Sequence, residues 1–425
     1  MQSSIQPAVE LTSSGLLDGV RILDLTKLAA ALATCRLADL GADVIKIEGP
    51  PYGDYYRSQP PFVARAGMGL GFLMVNRNKR SIGLDLKTAK GRAIFEQLLH
   101  TADVVVEVSR PGRLARIGLD YEALRQVKPD IVYCSISGYG QSGLYRELPS
   151  HGMNVDASAG MVRIERGPGG RPEIGPFSSY GLSIDLGALH AALAVTAALF
   201  HRAQTGEGQY IDTSCWAAGV ASNSRFAAAL NLGSASEAVD AEGRGGVGAR
   251  YNVYGTKDDQ VIFLCPLEKD FWQSFCEVVD RPQWIERGDW ENPMDFGDEL
   301  LRSDIEAVMR TKTLDEWMPL FTEAGVPASP VIEPDQLEQN AHTIDRRMVI
   351  ETDDSRYRNV KWVAPPFCLP GHEFKLRHPS PELGEDSEAI LTELRYEAHD
   401  IARLVAEGIV MGAMSKVVSR NVKTS

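Results

Sequence analysis

VRILDLTKLAAALATCRLADLGADVIKIE, residues 20 to 48, divides into three pieces by the spacing of its apolar residues. Val20 to Leu25 is a short β-branched and aliphatic run behind the turn Asp18-Gly19, and it reads as a strand. Ala29 to Leu40 has the composition of a helix, and Asp43 to Glu48 is a second strand. Strand, helix and strand in that order form the βαβ unit of a parallel sheet. The pattern recurs: Gly91 to His100 is helical, Asp103 to Val108 is a strand, Tyr121 to Val127 is helical and Ile131 to Ile136 is a strand. Such near-continuous apolar runs suit strands buried on both faces, so residues 1 to 216 read as a doubly wound α/β layer. No GxGxxG follows the first strand, which argues against a dinucleotide in the usual place.

A second decisive stretch runs from Tyr180 to Asp212. Leu186, Leu189, Leu193, Ala197 and Phe200 keep helical spacing among small residues, so the spacing predicts a helix buried nearly all round, with His190 hydrogen-bonded inside it. Thr205 to Gly208 end it, and Gln209 to Asp212 resume as an extended segment. Asp185 stands at its N-terminal end, where unpaired backbone N–H groups hold an anion. On spacing alone the residue is either an ordinary capping Asp or a nucleophile whose oxyanion those groups would bind.

Composition narrows the class. The 425-residue chain is 44% hydrophobic and has a formal charge of −13, which supports a large core and argues against binding nucleic acid or an anionic membrane non-specifically. Six cysteines without a CxxC pair read as reduced core residues, and no metal ligation is expected. The first residues lack a signal-peptide pattern, and no apolar run is long enough to span a bilayer, so a cytoplasmic protein is expected. Against this acidic background, the turn-rich connection Gly49 to Arg57 ends in a base, and cations gather in Asn76-Arg77-Asn78-Lys79-Arg80 before an expected strand Ile82 to Leu86 and in Arg110 to Arg116. Their places near strand ends point to a polyanionic small molecule, with a salt-bridged surface as the plainer alternative. Tyr55 and Tyr56 either line a pocket or pack the loop.

These stretches resemble one family, the class III CoA-transferases, whose relatives include formyl-CoA transferase, carnitine CoA-transferase and the α-methylacyl-CoA racemases. The matching pieces are LLDGVRILDLT, RLADLGADVIKIEGPPYGDYYR, NRNKRSIGLDLKTAKGRAIFEQL, the run from Ala102 to Gly143, and HAALAVTAALFHRAQTGEGQYIDTS. The resemblance implies an α/β fold with a large doubly wound parallel-sheet domain built from both termini, a smaller α+β domain inserted, and an interlocked ring-like dimer. Residues 1–216 would be the first part of the large CoA-binding domain and 217–250 a linker with the glycine loop EGRGGVG. Residues 251–332 would be the small domain, with Trp272, Trp284 and Trp317 in its core, 333–361 the return linker, and 362–425 the rest of the large domain.

The resemblance further implies that one Asp takes the acyl group from an acyl-CoA, then CoA itself, before a carboxylic acid acceptor receives it. CoA enters as a substrate, no cofactor is tightly bound, and a homodimer or a heteromer with a related subunit is implied. Carried over by motif, Asp185 is the nucleophile, with Asp156 a distant second. Asn76, Arg77, Asn78, Lys79, Val108 to Arg110, Arg116 and Pro149 to Gly152 with His151 would contact CoA. The chain departs from the pattern in three places. LTKLAAALAT lacks Gly-Pro and is one residue short, Val108 replaces the usual Asn, and the spacing back from Gly206 falls on Ser183 or Ile184, which implies an insertion within 177–185. His151 resembles the racemase branch, where it would exchange a proton alpha to the thioester, but Gly152 follows it instead of Asp. Racemase and non-catalytic subunit therefore stand as alternatives. Phe177, Tyr180, Leu182 and Ile184 favour an acyl group that is apolar in part rather than a small diacid.

Overall fold

Strands that bury both faces and helices that bury one assemble, in the computed structural model, into a seven-stranded sheet in the order Tyr210–Ser214, Val132–Ser137, Val104–Glu107, Arg21–Leu25, Asp43–Glu48, Lys79–Leu84, Val410–Met411. The structure describes residues 15–63, 67–176, 178–233, 248–288, 290, 295–357, 360–372 and 374–412. Six strands are parallel, and Val410–Met411 closes the edge antiparallel, with Val410 opposite Leu84. Side chains alternate between faces. Leu23, Ile45, Ile82 and Val105 point to a core completed by the helix Ala89–Thr101 and by C-terminal helices through Ile390 and Leu404. Ile22, Val44, Val104 and Val132 point to the other core, completed by the helices Leu32–Asp39 and Leu182–Thr205.

Strand order reverses at Arg21–Leu25, which pairs with Asp43–Glu48 on one side and Val104–Glu107 on the other. A sheet of this kind opens a crevice beyond the C-terminal ends of the strands at that reversal. Two expectations change here. The helix expected over Ala29 to Leu40 begins as a 3-10 turn, Leu28–Ala31, because the short loop before it is pinned from below, and only Leu32–Asp39 is α-helical. The third cation-flanked strand is Lys79–Leu84 rather than Ile82 to Leu86, so Lys79 and Arg80 lie inside the sheet.

The helix Leu182–Thr205 ends at Gly206, whose φ of 77° lets its N–H turn back to the Arg202 carbonyl. It is buried on one side only. Ala188, Ala191, Val195 and Leu199 face the sheet, whereas Leu189, Leu193 and Phe200 are exposed, as is His190, which the spacing had placed inside. The chain divides into two compact units, 1–223 with 345–425, and 224–344. The second unit contains the antiparallel sheet Asn252–Gly255, Val261–Leu264, Ala328–Pro330, and Trp272, Phe275, Trp317 and Phe321 fill its core in stacked pairs.

Candidate active site

Beyond the ends of Arg21–Leu25 and Val104–Glu107 lies a cavity of about 440 Å³, lined among others by Lys27, Tyr55, Val108, Gly138, His151 and Asp185. One wall is the loop 26–31, held by a buried polar cluster. Asp24, at 0% exposure, accepts hydrogen bonds from the Thr26 N–H (2.8 Å), the Thr34 hydroxyl (2.8 Å) and Lys79 Nζ (2.9 Å). Burial opposes its charge, but Lys79 and Lys46 outweigh that and hold its carboxyl below the usual carboxylate range. Lys46 Nζ donates to the Thr26 carbonyl (2.9 Å) and pairs with Asp54 (3.2 Å). Asp54 in turn accepts the Leu28 N–H at 3.2 Å. So held, Leu28 takes a φ of 55°, a left-handed conformation costly for a leucine.

The opposite wall is the start of the helix Leu182–Thr205. Asp185 lies in its first turn, and its N-cap, Gly181, has a φ of 90°. The N–H groups of Gly181, Leu182 and Ser183 donate to the fully buried carboxylate of Asp156 at 2.5, 3.1 and 2.8 Å. Asp156 is thus the cap, and those N–H groups are committed to it, which corrects the expectation that they would hold an oxyanion. It also withdraws Asp156 as a nucleophile, since its lone pairs face the backbone of a buried turn. Asp185 is left open to the cavity. Atoms packed around its carboxyl, and then the nearby negative charge of Asp156, push it above the usual carboxylate range, with Arg36 opposing. Tyr56 responds to the same region: burial and then the charge of Asp185 push its phenol up.

His151 begins the helix Gly152–Ser158, and its N–H donates to the Asn154 side chain at 2.7 Å, while Asn154 Nδ2 returns to the Pro149 carbonyl at 3.1 Å. Gly152 packs against Gly181 so closely that a Cβ on it would lie 2.9 Å from the Gly181 Cα. The two loops that deliver His151 and Asp185 therefore touch through backbone, and glycine at 152 permits it.

The cations separate into two kinds. Asn76, Arg77, Asn78 and Lys79 are buried. Lys79 Nζ gives its three donors to Asp24, the Ala31 carbonyl and Asn76 Oδ1, all at 2.9 Å, and Arg77 and Asn78 bind Asp39. The expectation that these four side chains meet CoA is revised. Asn76 to Asn78 precede the parallel strand that Lys79 begins, and in this structure the side-chain donors of Arg77 and Lys79 are taken up by Asp39, Asp24, Asn76 and the Ala31 carbonyl. Arg110, Arg113 and Arg116 follow the strand Val104–Glu107 at its C-terminal end, are exposed, and have no ion pair among the described residues. The base of their loop is fixed by the buried Glu107, which accepts from the Ser109 N–H and the Ser135 hydroxyl. Burial pushes its carboxyl up despite those bonds. Strand polarity, had it been applied, would also have directed attention from Asn76–Lys79 to the exposed Lys87, just past the C-terminal end of Lys79–Leu84.

A larger cavity of about 750 Å³ lies elsewhere in the same unit, bounded by Arg346, Glu351, Cys368 and His372. It has neither Asp185 nor His151, and Asp39 and Leu40 in its wall come before the strand Asp43–Glu48 rather than after it. Among the described residues no group of three metal-ligating side chains comes together. The glycine loop, 242–248, lies outside the described residues except for Gly248, as does Phe177.

A family model described as CoA-transferase family III matches residues 17–387. The chain is 31% identical over 411 residues to the succinyl-CoA:glutarate CoA-transferase of Homo sapiens, covering 95% of this chain and 92% of that protein. It is 33% identical over 348 residues to the succinyl-CoA:mesaconate CoA-transferase of Haloarcula marismortui, covering 80% and 86%. A crystal structure of a CAIB/BAIF family protein from Brucella suis superposes with a TM-score of 0.69 at 26% identity, covering 90% of this chain and 100% of that one.

Proposed function

This chain belongs to CoA-transferase family III and is an enzyme of that class, and from this premise we propose that Asp185 is the residue on which acyl group and CoA change places. The observation that carries the proposal is the division of labour at one helix end. Asp156 satisfies the backbone, and Asp185 is left facing the cavity with a carboxyl of raised basicity, hence a better nucleophile once ionised. A carboxylate oxygen of Asp185 attacks the thioester carbonyl of the donor, the C–S bond breaks, and CoA leaves as thiolate. The thiolate attacks the Asp185 carbonyl of the mixed anhydride and releases the donor acid, leaving an aspartyl-CoA thioester. The acceptor carboxylate attacks that thioester, and the returning thiolate takes the acceptor acyl group, freeing Asp185. Both intermediates hydrolyse in water, so the site must be covered during the cycle.

Arg110, Arg113 and Arg116 are assigned to the phosphates of CoA, because they are exposed cations at the crevice end of the sheet. The donor named for both relatives, succinyl-CoA, is the first candidate donor. The exposed row Leu189, Leu193 and Phe200 supports a dimer that covers it with a second copy. Buried free cysteines at 35, 134, 215 and 276 fit the reducing cytoplasm.

The racemase alternative is weakened by Gly152, where the carboxylate that would pair with His151 has no room beside Gly181. The test is CoA exchange between succinyl-CoA and a panel of free acids, with wild type and Asp185→Asn side by side. Exchange by wild type and its loss in the variant support the proposal. Equal rates would remove Asp185 from the mechanism.

A further inference from the structure

Lys27 belongs to none of the roles assigned so far. It is the one lysine or arginine among the residues lining the cavity of Asp185. It is exposed, and it has no ion pair or side-chain hydrogen bond among the described residues. A lysine on an ordinary loop would be a solvated charge of no consequence. This loop is different, because its backbone is fixed on both sides of Lys27: the Thr26 carbonyl by Lys46 Nζ at 2.9 Å, the Leu28 N–H by Asp54 at 3.2 Å, and the Ala31 carbonyl by Lys79 Nζ at 2.9 Å. The left-handed Leu28 that follows is the bend at which the shortened loop turns along the cavity rim. The cation is therefore anchored at its root while its tip remains open to a ligand.

Resting on the assignment of Asp185 above, we infer that Lys27 is a specificity-determining residue that receives a second carboxylate on the acyl group, so that donor and acceptor are monothioesters and free forms of dicarboxylic acids. Leu28, Tyr55 and Ile184 line the same cavity and suit the carbons between the two carboxyl ends. The reacting carboxyl meets Asp185, and the distal one, which stays ionised throughout, meets an ammonium with no competing partner among the described residues. The pair is formed equally in every step, so Lys27 sorts substrates and takes no part in bond making.

The test compares kcat/KM of wild type, Lys27→Met and Lys27→Arg for a dicarboxylic acid and a monocarboxylic acid of equal chain length as acceptors, with equilibrium binding of free CoA measured alongside. The inference predicts that Lys27→Met lowers the diacid-to-monoacid ratio by about ten-fold or more, in line with a lost charge-assisted bond. Lys27→Arg restores most of the ratio, and CoA binding holds. A fall of both acids together, or of CoA affinity, would place Lys27 on CoA and overturn the inference, as would an unchanged ratio. Failure of the wild-type enzyme to transfer CoA to either acid would instead reject the assignment of the site, so the two failures are distinct.

Discussion

Asp156 accepts the Ser183 N–H at 2.8 Å, at the start of the helix that presents Asp185 one half-turn later. One carboxylate is consumed by the fold while the other stands free beside it, and burial first and that neighbouring charge second hold the free carboxyl above the usual carboxylate range.

The cap can be tested through stability. Asp156→Ala leaves three N–H groups of a buried turn without their acceptor and should lower unfolding stability by about 2–4 kcal/mol, measured by urea denaturation. Asp156→Asn keeps acceptor oxygen but removes the charge, so the acid limb of the kcat profile should move to lower pH. An acid limb that stays in place would show that the charge of Asp156 does not reach Asp185.

The charge of Asp185 is linked to stability. Its folded pKa is raised, so protonation favours the folded state, and the charge counts fully against stability above that raised value. Asp185→Asn should therefore raise the melting temperature at neutral pH while abolishing transfer. The gain should shrink as pH falls through the raised folded value and vanish below the ordinary carboxylate range. A variant less stable than wild type at neutral pH would contradict the environment described for this carboxyl.

Buried and exposed cations should fail in different ways. Lys79→Met strands Asp24 in the core without its partner, and should cost about 3–5 kcal/mol of stability. Arg110→Gln with Arg116→Gln should leave stability within about 0.5 kcal/mol and raise KM for acyl-CoA, with a smaller difference from wild type at high salt. If the paired substitution instead left KM unchanged, the phosphates would have to be sought at Lys87 and its neighbours.

Gly152→Asp restores the dipeptide of the racemase branch on paper. In this chain its Cβ meets the Gly181 backbone, so the substitution should lower both stability and CoA transfer without adding exchange of the α-proton, read by deuterium incorporation from solvent. A gain of α-proton exchange would reopen the racemase reading.

Periodicity was enough to recognise the strands Arg21–Leu25, Asp43–Glu48, Val104–Glu107 and Val132–Ser137, because residues buried on both faces leave an apolar run that polar loops interrupt. The closing strand Val410–Met411 was not legible as a partner of Lys79–Leu84, since two residues carry no period and the pairing is remote in sequence. Asp185 was visible as a carboxylate at a helix start, but Asp156 as its cap was not, because a cap supplied from 25 residues upstream leaves no local signature. Asn76 to Lys79 illustrate a related limit of pattern: a run of cations looks the same in sequence whether it faces a ligand or pairs with buried aspartates, as Arg77 and Lys79 do here. The burial expected all round the helix Leu182–Thr205 overreached because an apolar stripe does not say whether its own chain or a second copy covers it.

The most direct test of the account is peptide mapping by mass spectrometry after incubation with succinyl-CoA and hydroxylamine, which converts an activated carboxyl to a stable hydroxamate. One modified carboxylate is expected, Asp185, formed only when the acyl-CoA is present and absent from Asp185→Asn. Modification at another residue, or turnover of succinyl-CoA with Asp185 unmodified, would contradict it.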